Sequence, residues 1–166
     1  MPRPAVPEPP RFLVDAMLGN VARDLRLLGF DCTFARDLPD AAILRRAQQE
    51  GRVLVTRDRE LARRAAGVRC ILVAAQDPDL QAVEVLSAAG APHPPGPLTR
   101  CLACNGVLEP LGPDEARPLV PDHIALAHPE LRRCPGCGRV YWPGSHRGRL
   151  ARRARRLAAA LLRPAR

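Results

Sequence analysis

The chain contains no lysine: all 26 basic residues are arginine. That absence removes three chemistries together. A Walker A phosphate loop requires its lysine. A Schiff-base enzyme requires a lysine amine. Receiver-type phosphoacceptor domains, which also place acids at strand ends, rely on a lysine as well. Aromatic residues make up only 3% of the chain, so the core has to come from Leu, Val, Ile and Ala. No apolar run approaches the roughly 20 residues that cross a bilayer. The opening MPRPAVPEPPR lacks the apolar segment of a secretory leader. The expectation is a soluble, cytoplasmic protein with no membrane partner.

What is present is organised. With 166 residues, 46% of them hydrophobic, the chain can bury one ordinary core and a small appendage. Nineteen prolines cluster at ends and joints, and residues 1–10 read as a disordered Pro-rich start. From 11 to 90 apolar strand-like runs (RFLVDAML, CTFAR, RVLVT, VRCILVA) alternate with helical segments. Each helical segment runs out at a glycine, namely Gly29, Gly51, Gly67 and Gly90, the residue that most readily takes the left-handed conformation past a helix end. Strand–helix alternation at this spacing predicts an α/β fold, with a parallel sheet covered by helices on both faces and right-handed crossovers. Residues 91–98, APHPPGPL, read as a linker, 99–146 as a small cysteine- and turn-rich module, and 147–166 as an Arg-rich helical tail.

The tail holds eight arginines and no acid; the rest of the chain carries 18 arginines against 17 acids. The net charge of +9 is therefore a property of the tail. Leu150, Ala154, Leu157 and Leu161 fall on one helical face. Two readings of the arginines stand side by side: phosphate contact through residues such as Arg152, Arg153, Arg155 and Arg156, or a solvated helical end in a chain that uses arginine wherever others use lysine.

Cys101-Leu-Ala-Cys104 and Cys134-Pro-Gly-Cys137 form two CxxC pairs separated by 29 residues. Two such knuckles can supply a tetrahedral four-sulfur site, and four thiolates leave no open position, so the expected zinc is structural. Disulfides are disfavoured in a chain without an export signal. A thioredoxin-type motif would appear once, opening a helix. The module has few large apolar residues, so metal binding is expected to supply folding energy. His123, His128 and His146 read as loop histidines, Cys32 and Cys70 as small core residues, and Tyr141 and Trp142 as fillers of the module's core.

Acids stand at the ends of the strand candidates: Asp15, then Asp37 and Asp40, then Asp58 in VLVTRD, then Asp77. In parallel α/β sheets sites lie beyond the carboxyl ends of the strands, yet an acid there can equally cap the next helix. Asp77 precedes Pro78 and reads as a cap. Asp40 and Asp58 fit either role. Asp15 resists the capping reading, because the helix after it is expected only near Asn20. Two carboxylates about 5 Å apart repel by roughly 3 kcal/mol at an effective dielectric near 20. Converging acids therefore call for a cation, and all-oxygen ligation suits Mg²⁺ or Mn²⁺. Such ions promote phosphodiester hydrolysis without a lysine or cysteine nucleophile. Thr56 can orient a carboxylate or water, and Arg57 is either a phosphate contact or a surface charge.

The segments FLVDAMLGNVARDLRLLGFD, ARDLPD, VLVTRD and RRCPGCGRVYWPGSH together resemble the Mut-seven C-terminal RNase domain family, over roughly residues 11–147. The resemblance implies a PIN-like three-layer α/β/α sandwich over 11–90, followed by a small zinc ribbon. It implies metal-dependent cleavage of RNA, expected to be single-stranded. Asp15 matches the family's first-strand acid, Asp37 and Asp40 its acids after the second strand, and Thr56, Arg57 and Asp58 its Thr-Arg-Asp. One position departs: Asp24, in VARDLR, stands where an aromatic is expected. Two rivals remain, a non-catalytic RNA- or ribosome-binding adaptor and a small-molecule phosphatase. The sequence DAMLG at Asp15 lacks the nucleophile motif of the latter.

Overall fold

The computed structural model describes residues 8–91, 94–128, 130–142 and 145–162. The four apolar runs become β1 (Phe12–Asp15), β2 (Cys32–Ala35), β3 (Val53–Thr56) and β4 (Cys70–Leu72). They form one parallel sheet in the order β2-β1-β3-β4. A parallel sheet needs apolar cover on both faces, and the strand alternation sorts the side chains accordingly. Phe12, Val14, Val53 and Val55 enter a core with α1 (Gly19–Leu27) and α4 (Pro78–Ala89). Leu13 and Leu54 face α2 (Asp40–Glu50) and α3 (Arg59–Arg63). The chain steps one way from β1 to β2 and the other way from β2 to β3 and β4. The helix changes face at that reversal, as crossovers of a single hand require.

Helix boundaries follow local chemistry. Gly51 (φ 59°) and Gly90 (φ 69°) are left-handed caps of α2 and α4. The other two glycines also have positive φ but act later: α1 is capped by Leu28 before Gly29, and α3 ends at Arg63, ahead of Gly67. Gly29 has a second constraint. A Cβ there would lie 2.3 Å from the Gly96 carbonyl oxygen, so only glycine lets the 94–98 segment pass. That segment is tied to the end of α1 by Gly96 N to Leu28 O (3.1 Å) and Leu98 N to Leu27 O (3.0 Å).

The cysteine-rich module carries an antiparallel sheet of β5 (Glu109–Leu111), β6 (Leu131–Arg133) and β7 (Val140–Tyr141). Two short helices, α5 (Pro113–Ala116) and α6 (Asp122–Ala127), sit between β5 and β6. Leu111, Ala116, Val120, Ala125 and Leu131 make its small core, with Trp142 packed against it. The module docks through polar groups. Buried Arg26 of α1 donates to the carbonyls of Cys32 (2.8 Å), Leu102 (3.1 Å) and Ala103 (2.9 Å). The Asn105 side chain accepts from Cys32 N (2.9 Å) and donates to Asp31 (2.8 Å).

The last helix, α7 (Ser145–Leu161), packs onto the sheet domain. Ala154 and Leu157 are buried in the same core as Phe12 and Val14, with Leu150 and Leu161 packed against it. The apolar stripe seen in the sequence therefore faces α1 and α4. Asp24 is explained by the same contact: its carboxylate pairs with Arg153 of α7 at 2.6 Å, and Arg153 also pairs with Asp79. An ion pair occupies the position where an aromatic was expected. Residues 1–7, 92–93, 129, 143–144 and 163–166 lie outside the described residues, and with them most of the Pro-rich start and the end of the tail.

Candidate functional site

With β1 and β3 adjacent and their onward connections diverging, the carboxyl ends of these two strands form the switch point where α/β sheets bind ligands. Asp15 is the last residue of β1 and Thr56 the last of β3; the Val14–Val55 pairing sets them side by side. Both continue the alternation of Leu13 and Leu54 and so face the α2/α3 side. Asp15 is 5% exposed and Thr56 fully buried. The Thr56 hydroxyl donates to Asp15 Oδ2 and accepts from the Asp58 amide (2.9 Å). Asp15 Oδ1 accepts from Met17 N (2.6 Å). Hydrogen bonds to a charged acceptor contribute about 1.5–3 kcal/mol each, which offsets the burial of this carboxylate. Asp15 is thus also a cap, contrary to the sequence expectation. The chain turns at once into a 3-10 helix, Ala16–Leu18, instead of waiting for α1. The cap distance read from the sequence was to the wrong helix.

The remaining acids have separate local partners. Asp58 caps α3, accepting from Glu60 N (2.7 Å) and Leu61 N (3.2 Å). Its neighbour Arg57 donates to Gln76 Oε1 (2.8 Å) in the loop after β4. Asp40 lies in the first turn of α2, where Pro39 holds the cap position, and its Oδ2 meets Arg64 at 2.9 Å. Asp37 is exposed in the turn after β2. Asp77 caps α4 through Asp79 N (2.8 Å), with Pro78 in the first turn, as the Asp-Pro pair implied. The structure therefore links the Asp15 carboxylate to the Asp58 backbone amide through Thr56, and leaves Asp37 in the turn after β2 and Asp40 at the start of α2. Among the described residues, no three carboxylates lie close enough to share an ion. A Mg²⁺ site needs only one or two carboxylates, completed by water and substrate phosphate, and the buried Asp15 carboxylate is the donor of that kind at this edge.

Two features of this edge escaped the sequence reading. Asn20 Nδ2 donates to Gln81 Oε1 (2.8 Å), and Gln81 donates to Ala75 O (3.0 Å). Glu84 accepts from the amides of Ala74 (3.0 Å) and Ala75 (2.9 Å). Together they hold the β4–α4 loop that carries Gln76. A signal existed: Gln81 sits one turn before Val85, a polar residue on the buried stripe of α4.

The four cysteines converge. The sulfurs of Cys101, Cys104, Cys134 and Cys137 all lie within 4.8 Å of one another, with Cys104–Cys134 at 3.3 Å and Cys101–Cys137 at 3.5 Å. Each knuckle closes the same way. Asn105 N bonds Cys101 O (2.9 Å) and Gly138 N bonds Cys134 O (2.8 Å), with Asn105 (φ 73°) and Gly138 (φ 74°) both left-handed. A Cβ on Gly106 would sit 2.9 Å from the Cys134 sulfur, so glycine permits the close approach. Burial opposes ionisation of Cys101, but the Tyr141 hydroxyl (3.1 Å) and the Cys104 and Ala103 amides outweigh it and bring its pKa down to about 6. At Cys104 the Gly106 amide favours the thiolate, yet burial and the three other sulfurs prevail and push the pKa up to about 12. Sulfur that must share one small space ionises fully only around a cation. The set is the one a zinc ribbon uses. His123 and His128 are not part of it, and the His146 side chain lies outside the described residues.

The family model of the Mut7-C RNAse domain matches residues 10–154. The chain belongs to the Mut7-C RNAse domain family. That match runs through the parallel sheet, the cysteine module and half of α7, so the Mut7-C unit includes both sites. No curated protein matches the chain, and no solved structure does. Among the described residues, no helix is long and apolar enough to cross a membrane.

Proposed function

We propose that this Mut7-C chain is a metal-dependent ribonuclease that hydrolyses RNA phosphodiester bonds at the carboxyl edge of its parallel sheet. The observation that carries the reading is the buried Asp15 carboxylate, held by the Thr56 hydroxyl and the Met17 amide beside Asp58 at the switch point. Asp15 and Asp58, with Asp37 and/or Asp40, would hold Mg²⁺ or Mn²⁺. A divalent ion there supplies Lewis-acid polarisation of the phosphodiester and a more acidic water. Thr56 keeps the Asp15 carboxylate in one orientation. Arg57, propped by Gln76, offers a guanidinium to a phosphate oxygen. Met17 (67% exposed) and Leu38 (38% exposed) flank the acids and offer apolar contact to unpaired bases, which favours a single-stranded substrate. Residues 11–90 form the nuclease unit. The module over 99–146 is a zinc ribbon with a structural ion held by Cys101, Cys104, Cys134 and Cys137, and the chain works in the cytoplasm.

A second reading, an RNA- or ribosome-binding adaptor without turnover, draws on one observation: Asp58 and Asp40 are already engaged by a helix cap and by Arg64. Cleavage of labelled single-stranded RNAs with Mn²⁺ separates the two. The nuclease reading expects Asp15→Asn to slow cleavage by about a hundredfold or more. Equal cutting by both proteins, or none by either with RNA binding retained, leaves the adaptor.

A further inference from the structure

The described arginines of α7 do not all have the same fate. Arg153 lies at the edge of the buried stripe and is neutralised twice, by Asp24 of α1 (2.6 Å) and by Asp79 of α4. Arg152, Arg155 and Arg156 lie on the outer face, exposed, and none of the ion pairs or hydrogen bonds among the described residues involves them. Their i, i+3, i+4 spacing stacks them as neighbours, about 5–6 Å apart at Cβ. Like charges so placed destabilise a free helix. Here burial of Ala154 and Leu157 holds the helix in place, so the repelling guanidinium groups are kept together.

Their position is set by Arg153. Its partners Asp79 and the Pro78 carbonyl (3.4 Å) belong to the first turn of α4. That turn follows β4 through the short segment 73–77, so it stands at the carboxyl edge of the sheet, the edge that carries Asp15 and Asp58. Arg57 contacts Gln76 in the same loop. The segment over 76–79, from the loop into α4, is thus held at one end by the arginine beside the candidate site and at the other by the arginine that anchors α7. We propose that Arg152, Arg155 and Arg156 form a phosphate-binding face for a single RNA strand on its way to the Asp15 edge, with Arg153 as its positioning residue. The choice of RNA as the polyanion rests on the ribonuclease reading. The face itself rests on the placement of α7. Guanidinium groups contacting backbone phosphates give affinity without sequence choice.

Binding is measured with the metal-loaded full chain carrying Asp15→Asn, so that turnover plays no part. A labelled single-stranded RNA is titrated at several salt concentrations. Replacing Arg152, Arg155 and Arg156 together by Gln weakens binding by about tenfold or more near 0.1 M salt. It also lowers the slope of log K against log salt by about 2, the value for three single-strand phosphate contacts. The matching triple Lys variant keeps the slope, which separates charge from any effect on folding. An unchanged affinity and slope in the Gln variant overturns the proposal. So does an RNA affinity that survives while binding to phosphatidylserine vesicles is lost. If the protein with Asp15 intact cleaves no RNA but the Gln and Lys variants still diverge in binding, the nuclease reading fails and the binding face stands.

Discussion

The cysteine cluster and the carboxylate edge gather their groups by opposite routes. The cluster draws four sulfurs from two segments of four residues each, and the knuckle turns alone aim each pair. The carboxylate edge draws on Asp15 and Thr56, 41 positions apart in the chain, and they meet only because β3 lies beside β1 and not beside β2. The first site is local chemistry closed by one long-range contact. The second is a product of strand order. The difference shows in the spacing: the four sulfurs crowd together, whereas the strand-end carboxylates each keep a separate local partner.

The largest expected contrast comes from removing a sulfur at the one site and a supporting hydroxyl at the other. Cys134→Ser should abolish stoichiometric metal binding and unfold β5–β7, because structural zinc sites contribute about 10–16 kcal/mol of apparent binding energy to folding. Metal analysis and amide hydrogen exchange read the two effects. Retained β6 protection without metal would break the comparison. At the other site Thr56→Val removes one buried hydroxyl, and Asp15 loses a charge-assisted partner. A loss of about 2 kcal/mol in denaturant titration is expected, with metal content at the cysteines unchanged. The smallest effect concerns the joint between the two regions. Burial works against ionisation of Asp31, but hydrogen bonds from Arg52 and Asn105 and the charges of Arg52 and Arg100 hold its pKa below the ordinary value of 3.8. A depressed carboxyl pKa stabilises the fold above its unfolded value, and that contribution is lost as pH falls through the folded one. Between pH 6 and 3 the wild-type denaturation midpoint should fall more steeply than that of Asp31→Asn. Parallel curves would show that Asp31 does not couple the regions.

Several elements could be read directly. The four strands and the helices after them lie within a few residues of the apolar runs that announced them, because alternation and glycine stops act locally. The Asp77–Pro78 cap, the Leu150–Ala154–Leu157–Leu161 face and the pairing of CxxC knuckles were equally plain. Asp15 was not: it was read against α1, and an intervening 3-10 helix supplied the cap donor. Asp24 was not either. Its acceptability depends on Arg153, 129 positions away, and nothing local marks that partner. Nothing local marks Arg26 and Asn105 as docking residues either, because their partners across the joint lie 73 to 77 positions away.

The sequence by itself determined the kinds of chemistry available: hard oxygen donors at strand ends, four thiols in two knuckles, arginine as the sole strong cation. It also determined the periodic burial that makes an α/β sheet. Tertiary structure decided which of these groups meet. Strand order placed Asp15 against Thr56 and Asp58, and the packing of α7 neutralised Arg153 while leaving Arg152, Arg155 and Arg156 in solvent. Local preferences act over a few residues, whereas encounters between distant side chains depend on how whole faces find apolar cover.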